Sequence, residues 1–173
     1  MMTVDAEGVR SPRGGNGRSR RRRRARARLV GRAPQLSQNE LLVGLMRLAA
    51  LPGARNGHTG IFPFDPAHRE SLHALPIRPY HFTDGVFVVD EAADGRLTGF
   101  RVLAIGGTPL QGVLSLVRPL VPRDNDSTLR GLAPHCAITV EVLDGLGIVE
   151  GTGPVEIMLV RPNGEQVKET LRP

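Results

Sequence analysis

A small α+β domain with short strands, not a parallel α/β sheet, is the fold this sequence predicts, and three observations predict it. Strand-like apolar segments cluster between Pro79 and Leu171. Two stretches near the helical period, Leu41–Ala49 and Leu110–Val117, lie before and among them. Turn signals rich in Gly, Pro and Asn punctuate the chain at short intervals. With 173 residues, 14 of them Pro and 21 Gly, one modest domain plus tails is the expected organisation.

The core must be built from Leu, Val, Ile and five Phe, since the chain has no Trp and one Tyr. No apolar run approaches the roughly 20 residues needed to span a bilayer, and the arginine-rich start lacks the apolar stretch of a secretory signal. Cys136 is the only cysteine, which excludes an intrachain disulfide. A cytoplasmic, thiol-tolerant setting is the expectation. The net charge of +6 is unevenly distributed. Residues 1–28 hold ten Arg and two acids, a net of +8, whereas residues 29–173 hold thirteen Lys or Arg and fifteen acids, a net of −2. The basicity belongs to a tail, and residues 1–35 are expected to be disordered because dense like charges repel and little is available to bury. Nucleic acid or an acidic surface is the alternative partner this tail suggests, although no aromatic is interleaved for base stacking.

Residues 36–76 form a helical lead-in. Ser37-Gln38-Asn39-Glu40 fits a capping box, Leu41, Leu42, Leu45, Met46, Leu48 and Ala49 follow, and Pro52-Gly53 stops the helix. Asn56-Gly57 signals a turn, and Ile61 to Phe64 is a short apolar segment. Within residues 77–173, Tyr80 and Phe82 precede Asp84-Gly85, and the run Val86 to Val89 suits a buried strand. Asp94-Gly95 turns the chain into a strand from Phe100 to Ile105, ended by Gly106-Gly107. Thr108 is the expected cap of the next helix, with Pro109 in its first turn and Gln111 reaching back. Residues 119–153 are expected to be a helical insertion: Asp124, Asn125 or Asp126 caps a helix through Leu132, and Ile138, Val140, Val142, Leu143 and Leu146 fit either a strand-like alternation or, as the favoured reading, a helix ending at Gly145 or Gly147. Val155 to Val160, the turn Pro162-Asn163-Gly164 and Gln166 to Leu171 predict a terminal hairpin.

The five histidines show no metal-ligand spacing, and neither a P-loop nor a dinucleotide fingerprint occurs, so no metal or cofactor is expected. His135-Cys136 reads as a buried thiol beside a histidine, because chain neighbours rarely place a base on the adjacent sulfur. His58, in Asn56-Gly57-His58-Thr59-Gly60, can serve as a general base or simply stabilise a turn. Gly85, Val86, Phe87 and Val88 are candidate peptide-binding residues. Their main-chain N–H groups would receive a terminal carboxylate, and the strand edge would pair with an extended peptide. The other reading of the same residues is a turn feeding a core strand.

Residues 56–171 resemble the amino-terminal, PDZ-like region of the tail-specific, C-terminal-processing and tricorn-like serine peptidases. Gly57-His58-Thr59, the stretch Tyr80 to Val89 and the stretch Leu97 to Pro109 carry the resemblance, with Pro122 to Asn125, Gly145-Leu146-Gly147 and the terminal hairpin in matching order. The resemblance implies a module that engages a peptide or unfolded protein C-terminus and works with a serine peptidase domain. It also implies that His58 matches the general base of tricorn-like members. That family's nucleophile lies in a domain after this module, and the match runs out at Pro173, so the chain is expected to be inactive alone. A truncated product, a split peptidase and a stand-alone remnant that neither binds nor cleaves peptide are the readings left open.

Overall fold

The computed structural model describes residues 15–51, 60–62, 72–92, 95–122 and 125–173. Pro52-Gly53, Asn56-Gly57, His58, Phe64, Asp94 and Arg123-Asp124 lie outside them.

The chain enters through helix α1 (Gly15–Arg32), a 3-10 turn over Ala33–Gln35, and helix α2 (Gln38–Ala50). Helix α1 lies within the basic stretch of residues 1–35. Arg and Ala are good helix formers, and Leu29 gains burial against α2, where Gly44 has no side chain to obstruct it. Repulsion among the arginines is a cost of tenths of a kcal/mol per pair, which propensity and packing offset. Helix α2 begins with the expected capping box: Glu40 N–H donates to Ser37 Oγ at 3.2 Å and Ser37 N–H donates to Glu40 Oε2 at 2.7 Å. Its buried side chains are Val43 and Met46.

The sheet contains β1 (Ile77–Phe82), β2 (Gly85–Glu91), β3 (Arg101–Ile105), β4 (Thr108–Pro109), β5 (Val155–Val160) and β6 (Gln166–Leu171). Their order is β1-β2-β3-β5-β6, with the short β4 on β3, and each pairing is antiparallel. The strands expected from Val86, Phe100 and the terminal hairpin thus share one sheet. Gly106 and Gly107 both take positive φ, 56° and 74°, and turn β3 tightly into β4. That turn explains a correction. Thr108 pairs with Ile105 as a strand residue, so Pro109 becomes the N-cap of helix α3 (Leu110–Val117) and no side-chain cap forms.

The segment between β4 and β5 continues through a 3-10 turn (Arg118–Leu120), α4 (Asp126–Cys136) and α5 (Val140–Gly145). Asn125 caps α4 by accepting from Thr128 N–H at 2.9 Å. The helix runs past Leu132 through Pro134, where the ring sits in the final turn and forfeits one hydrogen bond. Helix α5 ends in a Schellman arrangement: Ile148 N–H donates to Leu143 O, Gly147 N–H donates to Asp144 O, and Gly147 has φ 71°.

One core joins these layers. Val86, Val88, Val102, Ile105, Ile157 and Leu159 from the sheet cluster with Val113, Val117, Leu120, Val140, Val142 and Leu143 from the helical segment, and with Val43 and Met46 of α2. The result is a small α+β domain with a PDZ-like sheet and an amino-terminal helical segment.

Candidate peptide-binding edge

Strand alternation decides which side chains the β1–β2 hairpin presents. On β1, Ile77 and Pro79 are buried while Arg78, Tyr80 and Phe82 are exposed. On β2, Val86 and Val88 are buried. Tyr80 lies opposite Phe87, and Phe82 lies opposite Gly85. The aromatic rings therefore share the outer face: Tyr80 and Phe82 are 4.7 Å apart between centroids, and Phe82 meets Phe87 edge-on at 5.7 Å. Tyr80 is 53% exposed and Phe82 44%, large values for aromatic side chains. Gly85, at φ 155°, lies close under Arg101 and Phe87, where a Cβ would meet the Arg101 side chain at 2.9 Å.

Gly85, Val86, Phe87 and Val88 are thus brought together, but in a strand flanked on both sides. Val88 N–H donates to Phe100 O at 2.9 Å, and Val88 O accepts from Gly99 N–H at 2.8 Å. Backbone groups alternate in direction along an antiparallel strand. Gly85 and Phe87 accordingly turn theirs towards β1, and Val86 turns its own the other way. The strand that carries them is thus paired on one side with β1 and on the other with β3. The free edges belong to β1 and β6, the two ends of the sheet, whose outer sides pair with no strand among the described residues; the edge beside Gly85–Val88 is that of β1. Because Tyr80 faces β2, Pro79 and His81 face outward. Proline has no N–H to offer, so His81 supplies the outward donor there.

Helix α4 packs against β1. His135, in its last turn, is held below its ordinary pKa of 6.5, first by burial and then by the positive charge of Arg78. The neighbouring Cys136 is 3% exposed, and burial pushes its thiol up to about 12, which removes it as a nucleophile near neutral pH. His58 lies outside the described residues, so no partner is assigned to it.

A pairing that the sequence did not disclose is His73 with Glu141, which are 68 positions apart. His73 Nδ1 lies 2.6 Å from Glu141 Oε1, and His73 N–H donates to Glu141 Oε2 at 2.9 Å. Glu141 is buried and the His73 side chain is 54% exposed. With Leu75 N–H donating to Ile138 O and Val140 N–H donating to His73 O, this pair pins the chain entering β1 to α5. Removing the carboxylate would leave the His73 amide without its acceptor, a cost of about 1–3 kcal/mol. No local spacing signals such a contact. Among the described residues no group of three His, Cys, Asp or Glu is placed to hold a metal ion. No described helix is long and apolar enough to cross a membrane.

Comparison with known proteins places this geometry in context. No family model matches the chain, and no curated protein matches it. Among solved structures it is similar to mature CPAF complexed with lactacystin, with a TM-score of 0.52 and 19% identity over 80% of this chain and 26% of that one. It is similar also to a serine-to-alanine mutant of CPAF, with a TM-score of 0.51 and 19% identity over 79% of this chain and 25% of that one. The chain spans about a quarter of the length of these structures. The resemblance to tail-specific and tricorn-like peptidases read from the sequence is corrected by these findings: no family model supports that assignment, and the structural similarity is to CPAF, a chlamydial protease.

Proposed function

We propose that this chain binds an extended peptide or protein tail as an accessory module of a larger protease, and that the peptide adds to the outer edge of β1. The observation that carries this reading is an unpaired strand edge flanked by the exposed rings of Tyr80 and Phe82. Main-chain groups of Pro79 and His81 provide the ladder, and the rings grip an apolar side chain of the peptide. Gly85, Val86, Phe87 and Val88 support the edge from behind: Phe87 packs on Phe82 and the two valines anchor β2 in the core. Capture of a terminal carboxylate at the turn before Gly85 is the finer form of the proposal. His58 is the group proposed to contribute a general base if the module meets a nucleophile from a peptidase domain.

Titration of the full chain with a fluorescent pool of peptides bearing free C-termini, and with its amidated counterpart, tests the proposal. Phe82→Ala is expected to weaken binding about 30-fold, the equivalent of a central contact worth about 2 kcal/mol. His81→Pro is expected to weaken it about fivefold by deleting one outward donor. Binding unchanged by both substitutions defeats the β1 edge. Equal affinity for free and amidated ends defeats carboxylate capture while leaving edge addition intact.

A further inference from the structure

Helix α1 uses almost none of its charge within the molecule. Its eighteen residues contain nine arginines and no acid. Arg20, Arg21, Arg22, Arg23, Arg24 and Arg26 are all exposed, and none of the salt bridges found among the described residues involves them. Residues 33–173 hold twelve Lys or Arg and fifteen acids, a net of −3, so the molecule has a strongly positive helix on a weakly negative body. Such asymmetry orients a protein in the field of a polyanion.

We propose that α1 is a binding helix for double-stranded DNA, held on the module by its apolar face and contacting phosphates with Arg20 to Arg24. Ala25 and Leu29 face α2 across a cleft of about 440 Å³ that Val43, Gly44 and Leu48 also line. This arrangement sets the partner class. An interfacial membrane helix needs an apolar face free to insert, and here that face is turned to α2. Single strands are gripped by aromatic stacking, and α1 has no aromatic residue. A helix is about 10–12 Å across with its side chains, which fits the roughly 12 Å major groove of B-DNA and not the narrow major groove of A-form RNA.

Helix α1 also keeps its arginines accessible. Leu29 packs at Gly44, and Leu51 lies by Gly17, Arg20 and Arg21, so the two helices run antiparallel. Counting from that contact, α1 continues fourteen residues to Gly15 while α2 continues six to Ala50. The arginine run therefore lies beside the end of α2, next to Leu51, with its side chains exposed and only the first residues of α1 reaching past it. Within α1, Arg20 and Arg24, Arg22 and Arg26, and Arg24 and Arg28 are like-charge pairs at i,i+4 that disfavour the free helix. Phosphates bound along it replace that repulsion with attraction, so binding adds helix as well as affinity.

Fluorescence anisotropy of the full chain with a labelled 20-bp DNA duplex tests this proposal. Five phosphate contacts imply that affinity falls about 500-fold between 50 and 200 mM salt. Replacing Arg20 to Arg24 together by Gln is expected to abolish binding at 200 mM, and replacing them by Lys to retain it within about tenfold, since Gln and Lys have similar helix propensities. Circular dichroism at 222 nm should show helix gained by the parent chain on adding DNA. The proposal is overturned by absence of binding at 50 mM salt, by equal affinity of the Gln variant and the parent, or by tighter binding to phosphatidylserine vesicles or an RNA duplex at the same salt. The β1 edge is untouched by these variants, so the peptide titration succeeds or fails independently.

Discussion

At the scale of single residues, glycines decide how closely the helices approach. A Cβ on Gly145 would collide with the backbone carbonyl of Asn39, fixed in the first turn of α2, and crowd Val43. Ala is favoured over Gly within a helix by about 1 kcal/mol, but overpacking against a backbone atom costs about 1–3 kcal/mol and the helices must separate to relieve it. Gly145→Ala is therefore expected to be net destabilising, read as a lower urea midpoint with an unchanged m-value; a raised midpoint would refute the close-packing account. The sequence marks Gly145 only as a helix terminator. That it also faces Asn39 follows from how α2 crosses α5, and no local pattern contains that information.

At the scale of elements, the contact between α4 and β1 depends on pH. The folded state holds His135 below its ordinary pKa of 6.5, so the unfolded chain takes up the proton first as pH falls. Unfolding is then favoured by acid: stability declines as pH drops through 6.5 and levels off once folded His135 also protonates. Glu169 acts at lower pH. The Arg96 hydrogen bond, with the charges of Arg96 and Arg161, holds its carboxyl below the ordinary 4.5, and its contribution is lost as pH falls through that range. Thermal melts between pH 7.5 and 5 should show a decline that His135→Gln flattens and Glu169→Gln leaves in place. A parent whose midpoint is constant over that interval would show that His135 is not held neutral. The two strands flanking Asp84-Gly85, the α2 capping box and the terminal hairpin were all legible as elements, because local turn chemistry and alternation specify them. The role of Thr108 was not, since a strand pairing with Ile105 overrode a good capping pattern.

At the scale of the whole molecule, α2 is part of the core and α1 lies outside it. Val43 is 3% exposed and Met46 fully buried, together about 3–6 kcal/mol of apolar burial against a typical total stability of about 5–15 kcal/mol. Deleting residues 1–35 is expected to preserve a cooperative thermal transition, displaced by only a few degrees. Deleting residues 1–51 is expected to abolish it. Cooperative unfolding of the shorter chain with an unchanged midpoint would show that the lead-in helix is dispensable to the core.

The sequence alone determined the α+β class, the positions of most strands and turns, and the concentration of positive charge near the amino terminus. These are local properties, set by periodicity, glycine and proline conformation, and composition. Tertiary structure decided that Val86–Val89 lies between two strands, that β1 and β6 form the open edges of the sheet, and that Glu141 holds His73. Each of those facts depends on which segments meet, and long-range pairing is selected by the burial of the whole core, which no short stretch of sequence encodes.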